Sequence, residues 1–293
     1  MKKNTFFHQS FSFMLCFLST TSVANNRFSQ VEIQAQEITP GLHMLTGAGG
    51  NIGVSSGSDG LLIIDDQFAP LAERISSALA QLHPESKGKP TYIINTHHHG
   101  DHTGGNAHFG QDGTIVAHHN VLKNLKNNTK VNAENYPQLT YADNLHVHFN
   151  DQTIEVIHLG RGHTDGDSLV WFPKHNVLHM GDLFFNGRFP FVDQNHGGSV
   201  MQYLSRVDDA LALINEQTII IPGHGALASK EDLTQFKRMI EDSLAWAKSL
   251  QGQPLSQWHA QGLPAQYDTW GQHFISNSRW IETLWHELQE PIN

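Results

Sequence analysis

Thr96-His97-His98-His99-Gly100-Asp101-His102 places four metal-ligand side chains, in the pattern H-x-H-x-D-H, within six residues. Imidazole nitrogens and carboxylate oxygens suit zinc and other borderline first-row cations. Four ligands this close in sequence do not fit comfortably round one ion. His97 and His99, with alternating spacing, can face one point, while Asp101 and His102, beyond the glycine turn, can face another. The pattern points to two adjacent ions, and such a pair can make and aim a hydroxide near neutral pH. The competing reading is a histidine-rich turn that takes up metal adventitiously.

Three more segments argue against an accident. The run 154–157 leads into Gly160-Arg161-Gly162-His163, the run 176–180 into Gly181-Asp182, and the run 218–221 into Pro222-Gly223-His224. In each, a short apolar strand ends in glycine, which lets the backbone turn sharply and come close to an ion. One ligand-type residue then follows. The first cluster has the same setting, after Tyr92-Ile93-Ile94-Asn95.

Strand ends that share one site must belong to sheets. Strand-like runs cover 31–33, 42–45, 51–55, 61–65, 92–95, 114–117, 145–149, 153–158, 168–172, 177–180 and 218–221. Pro70 suits the first residue of a helix whose apolar positions are Leu71, Ile75, Leu79 and Leu82. A second helix carries Leu204, Val207, Leu211 and Ile214 on one face, and a third Leu233, Phe236, Ile240, Leu244 and Ala247. Many strands and one-faced helices build two packed sheets with helices outside both. Trp280, Ile281, Leu284, Trp285 and Leu288 predict a closing amphipathic helix that covers a sheet edge, in a C-terminal helical extension from about residue 253.

In order and spacing, these motifs resemble those of the metallo-β-lactamase-fold superfamily of hydrolases, from about Ile38 to Gly225. The resemblance implies an α+β, four-layer αββα sandwich. It also implies that His97, His99 and His163 hold a first metal and that Asp101, His102 and His224 hold a second. Asp182 would bridge both. Asp65, at the end of Leu61-Leu62-Ile63-Ile64, matches an aspartate that braces the ligand loop from outside, a role that orients ligands. Its neighbour Asp66 is a competing assignment.

The N-terminus reads as an export signal. Lys2 and Lys3 precede an apolar stretch from Phe11 to Leu18, and Ser22-Val23-Ala24 offers small residues for cleavage. That stretch is too short to span a bilayer as a helix. The expected product is an exported protein, periplasmic or secreted, of one domain over residues 25–293 with no stable membrane anchor. Cleavage removes Cys16, the sole cysteine, so neither a disulfide nor a thiolate ligand remains. It also lowers Lys plus Arg from 18 to 16 against 28 acids, for a net charge of −12. An acidic protein is a poor counter-ion for phosphate backbones, so no nucleic-acid partner is expected and the substrate is a small molecule. Oligomeric state is left open.

The activity implied by the resemblance is hydrolysis by two zinc ions, with iron or manganese as alternatives. Their shared water attacks a carbonyl as hydroxide, in a β-lactam amide, a lactone or a thioester. Asp101 and Asp182 are the expected catalytic carboxylates, Asp101 as a proton shuttle. Where cysteine-ligated β-lactamases carry cysteine, this chain has Asp182, as glyoxalase-like thioesterases, lactonases and RNA-processing relatives do. Glyoxalase-type enzymes add a basic C-terminal site for glutathione, whereas residues 251–293 contain only Arg279. Two alternatives stand beside the main reading: such a thioesterase, and a persulfide-dioxygenase-like oxidoreductase using one iron.

Beyond the ligands, Phe184-Phe185-Asn186-Gly187-Arg188-Phe189-Pro190-Phe191 follows Asp182 and mixes one cation with aromatics. Asn186 and Arg188 are the substrate-loop residues, Arg188 as partner of a substrate carboxylate. A hydrophobic plug with a structural arginine is the favoured alternative. His98 is expected to point away from the metals. No motif supports His118, His119, His146, His148, His158, His179 or His196, although His179 and His196 flank Asp182.

Overall fold

Gly60-Leu61-Leu62-Ile63-Ile64 forms a strand in which Leu61 and Ile63 are as fully buried as Leu62 and Ile64. Successive side chains of a strand point to opposite faces. Both faces of this strand are therefore covered, and a layered sandwich follows. The computed structural model describes residues 27–289, so the expected export signal at 1–24 lies outside the described residues.

The first sheet holds seven strands in sequential order: β1 (Gln34–Thr39), β2 (Leu42–Thr46), β3 (Ile52–Gly57), β4 (Gly60–Ile64), β5 (Tyr92–Asn95), β6 (Thr114–His118) and β7 (Leu139–Tyr141). Pairing is antiparallel from β1 to β4 and parallel from β4 to β7. The second sheet runs in the order β12 (Ile219–His224), β11 (Val177–Phe185), β10 (Leu169–Phe172), β9 (Gln152–Ile157) and β8 (Asn144–Phe149). Only β11 and β12 are parallel there. Between the sheets, Leu42, Met44, Leu62, Ile64, Ile94 and Val116 meet Ile154, Val156, Val170, Phe172, Val177 and Ile221.

Helices complete the outer layers: α1 (Ala72–Leu82), the one-turn helices α2 (Gly100–Thr103) and α3 (Asn106–Phe109), α4 (His119–Asn127), α5 (Val200–Leu213), α6 (Lys230–Ser249), α7 (Leu255–Gln261) and α8 (Asn277–Glu287). On the outside of the second sheet, Leu178, Met180, Phe184 and Ile220 pack with Tyr203 and Val207 of α5, Phe236 and Ile240 of α6, and Trp280 of α8. A capping box starts α6: Ser229 Oγ accepts from the Asp232 amide, and the Asp232 carboxylate accepts from the Ser229 amide. None of the described helices is long and apolar enough to cross a membrane.

The structure corrects several expectations. The first strand is Gln34–Thr39, not 31–33. As an edge strand with mostly exposed side chains it carries little apolar signal, and Val31 and Ile33 outside it misled the pattern. A three-residue 3-10 turn, Ala69–Leu71, takes Pro70, so α1 starts at Ala72. In α5 the buried stripe is Val200, Tyr203, Val207 and Ala210, because Tyr203 is drawn inward by a hydrogen bond to the backbone of β11. The face through Leu204 and Leu211 is only half-buried. The third helix keeps its expected face, with Leu233, Phe236, Ile240, Leu244 and Ala247 all buried. Finally, α8 packs on α6 and α7 rather than on a sheet edge, and Trp280 Nε1 donates to Ser243 Oγ of α6 at 3.0 Å.

Candidate metal centre

The seven residues with ligand chemistry meet at one edge of the sandwich, six of them at or just after strand ends. Asp182 instead lies inside β11, which runs through Gly181 to Phe185 with a register irregularity rather than ending at the glycine as expected. His97 and His99 follow β5, Asp101 and His102 lie on α2, and His163 follows β9. Asp182 lies on β11, and His224 closes β12. Backbone conformation makes this convergence possible. Gly181 has φ +50°, and a Cβ there would stand 2.7 Å from the Thr96 side chain. At Gly223 a Cβ would stand 2.1 Å from Asp182 Oδ1, so any side chain would push the carboxylate away.

Two groups of ligand atoms result: His97, His99, His163 and Asp182 in one, and Asp101, His102 and His224 in the other. His99 Nδ1 stands 3.0 Å from His97 Nε2 and 2.8 Å from His163 Nε2. Asp182 aims one oxygen at each group. Its Oδ2 lies 3.8 Å from His97 Nε2 and 3.5 Å from His163 Nε2. Its Oδ1 lies 3.1 Å from His102 Nε2 and 3.4 Å from His224 Nε2. Asp101 Oδ2 is 3.4 Å from His224 Nε2.

The outer nitrogens of these rings show which inner atoms are free to coordinate. His97 Nδ1 reaches Thr96 Oγ1 at 3.1 Å, and that hydroxyl already donates to Asp65. His99 Nε2 donates to Asp193 Oδ2 at 2.9 Å, His163 Nδ1 to the Phe191 carbonyl at 2.6 Å, and His102 Nδ1 to Asp65 Oδ2 at 2.7 Å. In the neutral form, the rings of His97, His99 and His163 spend their single N–H outward, so the inner nitrogen of each is a bare lone pair. Three such lone pairs at 2.8–3.0 Å repel one another, and a cation between them resolves the conflict. In the second group, His102 Nε2 and Asp182 Oδ1 are buried and lack a hydrogen-bond partner despite their 3.1 Å separation, because the pair is out of line. Ligand atoms bound tetrahedrally at about 2.0–2.2 Å lie roughly 3.3–3.5 Å apart, within the observed spread. The donor set fits two divalent ions.

Electrostatics favour the ligand form of His97, His163 and Asp182, whereas the acids around His102 favour its cation, whose inner proton a bound metal would displace. Burial pushes His163 down to about 3 and holds His97 well below the usual imidazole value, reinforced there by His102. Burial opposes ionisation of Asp182, yet His102 and His224 hold its carboxyl well below the usual range. His102 is also disfavoured as a cation by burial, but Asp182, Asp65 and Asp101 around it raise its pKa well above normal.

Supporting residues fix the ligands. Asp65 accepts from the Thr96 amide at 2.7 Å as well as from Thr96 Oγ1 and His102, so it reaches both the loop and a ligand. Asp66, the competing assignment, instead receives the Gly105 amide at 2.8 Å. Sequence reasoning missed four others. Asp193 orients His99, and Tyr203 donates to the Asp182 carbonyl at 2.6 Å. Asn51 donates to the Pro222 and Gly225 carbonyls at 2.8 Å each, clamping the His224 turn. Asp167 receives the Thr164 amide and hydroxyl beside His163, and burial lifts its pKa to about 7. Only Asp167 had a local signal, the T-x-x-D spacing of Thr164 to Asp167.

The aromatic loop after Asp182 divides by depth. Phe184 and Phe189 are core residues, Phe189 stacking on Trp280 at 5.6 Å. Phe185 stacks on the His224 ring at 5.0 Å, and Phe191 faces His99 at 5.5 Å. Asn186 braces the His224 turn through its amide to the His224 carbonyl and its side chain to the Ala226 carbonyl. Arg188 is half-buried, its Nε lacks a hydrogen-bond partner, and no acid among the described residues pairs with it. His179 is buried on β11 against the Asn51 carbonyl and the Gly181 amide, and belongs to neither ligand group.

A model of the metallo-beta-lactamase superfamily matches residues 49–224, more than half of the chain and the whole span of the ligands. The chain belongs to the metallo-beta-lactamase superfamily. Among curated relatives, it is 23% identical over 174 residues to a type 2 metallo-beta-lactamase of Bacillus cereus, covering 59% of this chain and 66% of that protein. It is 28% identical over 132 residues to the alpha subunit of a 2,4-dinitroanisole O-demethylase of Nocardioides, covering 45% of this chain and 40% of that one. The chain thus spans just under two thirds of the first relative and less of the second. The crystal structure of the DIM-1 metallo-beta-lactamase superposes with a TM-score of 0.62 at 21% identity, covering 72% of this chain and 99% of that one. That likeness concerns the fold: two mixed sheets with helices, the αββα sandwich of the superfamily.

Proposed function

We propose that this member of the superfamily is an exported hydrolase with two zinc ions, acting on a carbonyl compound that carries a negative charge. The observation that carries the binuclear part is the pair of inward-facing ligand groups sharing the two oxygens of Asp182. Two divalent ions bound there supply an activated water and polarise the substrate carbonyl. The protein's own contribution is orientation. Asp65 and Asp193 fix His102 and His99 from outside, the kind of support that sets ligand direction and basicity. Asp101, part-exposed beside His224, is placed to pass a proton between the site and solvent.

An unpaired, half-buried guanidinium on the loop after Asp182 supports an anionic substrate, since a carboxylate would meet a planar bidentate donor. Phe185 and Phe191 offer apolar walls on either side of the ligands. The name of one relative, an O-demethylase subunit, extends the bond classes worth testing from amides to ethers. Export rests on the N-terminal sequence.

Metal quantification on the purified protein, followed by β-lactam, lactone, thioester, phosphodiester and aryl methyl ether substrates, tests the reading. About two zinc per chain and turnover of a carbonyl substrate are expected. One iron per chain with oxygen consumption would replace hydrolysis by the dioxygenase alternative. Arg188→Ala should raise KM for anionic substrates about tenfold or more with little change in kcat, as loss of one charge-assisted pair implies. An unchanged KM would remove Arg188 from recognition.

A further inference from the structure

His98 sits between two ligands of the centre, and the alternating backbone sends its ring the other way. There it meets the turn Asp193-Gln194-Asn195-His196, a 3-10 turn whose His196 and Gly198 amides both donate to the Asp193 carbonyl. His98, Asp193 and His196 bring their ligand atoms within 4.8 Å of one another. Asp193 Oδ2 accepts a hydrogen bond from His196 Nδ1 at 2.7 Å, a proton that a bound cation would displace, and lies 3.9 Å from His98 Nε2. These distances bracket the roughly 3.3–3.5 Å between ligands on a tetrahedral ion. The His98 side chain is only 9% exposed; its Nδ1 is buried without a hydrogen-bond partner among the described residues, while its Nε2 faces Asp193 at 3.9 Å, too far for a hydrogen bond. A buried imidazole with a nitrogen left unpaired is costly, and a ring whose other nitrogen looks across a gap at a carboxylate has room there for an ion. His196 is 44% exposed and opens the cluster to solvent, leaving room for water as a further ligand.

We infer that His98, Asp193 and His196 form an accessory site for a borderline divalent cation such as zinc, distinct from the seven-residue centre. Two imidazoles and a carboxylate match that cation class. With three protein ligands and a carboxylate shared with His99, the site binds more weakly than the centre. The sharing also gives the site a consequence, which rests on the proposed role of His99 as a ligand. Asp193 Oδ2 receives the His99 N–H, so an ion on Asp193 draws electron density from the group that braces His99.

Equilibrium dialysis of the full chain against graded zinc, with elemental analysis, reads the site directly. The wild type should bind one more zinc per chain than His196→Ala or His98→Ala, the extra ion entering as free zinc rises. In the variants its affinity should fall by about tenfold or more. A wild type and His196→Ala that bind the same number of ions at every zinc concentration would overturn the accessory site. A difference of one ion, with fewer than two tightly held ions in both proteins, would uphold the accessory site and contradict the binuclear centre instead.

Discussion

The two halves of the metal centre are built differently. In the half formed by His97, His99 and His163, every ring has its outer nitrogen tied, to Thr96, Asp193 and the Phe191 carbonyl. Two of the three rings are fully buried. In the other half only His102 is so fixed, by Asp65. His224 has an aromatic stack with Phe185 in place of an outer hydrogen bond, and its side chain and that of Asp101 are 18% and 24% exposed. A ligand held from outside keeps its direction and basicity, whereas one free to turn trades affinity for access. The first half is therefore the more rigidly held and the second the more open to solvent.

Breaking the shared element should have the largest effect. Asp182→Ala removes the one carboxylate that faces both halves, so both ions should be lost or loosened and turnover should fall on the order of 10³-fold or more. Elemental analysis and steady-state rates check this together. The next effect separates the halves. Asp193→Ala should weaken retention of the first-half ion by about 10–100-fold and spare the second, while His224→Ala should do the reverse. Competition with a chelator distinguishes the two. Equal losses from both variants would mean that the difference in support has no energetic weight.

The smallest effect lies outside both halves. His118 stacks on His158 with centroids 3.7 Å apart, and burial, then His158, pushes its pKa down to about 4 from 6.5. The unfolded chain takes up a proton at this group below about pH 6.5 and the folded chain does not. Its contribution is therefore intact above pH 6.5 and is lost as pH falls towards 4. His118→Gln should reduce that acid sensitivity by on the order of 1–2 kcal/mol and leave metal content at neutral pH unchanged. Thermal unfolding between pH 4 and 7 measures the slope.

How much of this could be read from the sequence follows the same division. The clustered histidines and aspartates were legible because each carries its chemistry in its own side chain, close to a glycine and a strand that are also local. The helix through Leu233, Phe236 and Ile240 was legible because its periodic face is buried by many neighbours at once. The supporting residues were not. Asp193 lies 94 positions from His99, Asn51 is 171 from Pro222, and Tyr203 acts on a carbonyl through its hydroxyl. Nothing near those residues marks them, since only the folded chain supplies their partners. The same cause hid part of the buried face of α5, where Val207 and Ile214 are buried as expected but Tyr203, hydrogen-bonded to β11, joins them while Leu204 and Leu211 stay half-buried, and the edge strand β1, whose exposed side chains carry little apolar signal.

The most direct test of the account is a crystal structure of the zinc-loaded protein with anomalous scattering measured at the zinc edge. Two peaks about 3.5–4 Å apart should flank Asp182, one within coordination distance of His97, His99 and His163 and the other of Asp101, His102 and His224. A single peak, or two peaks with Asp182 bound to neither, would contradict it.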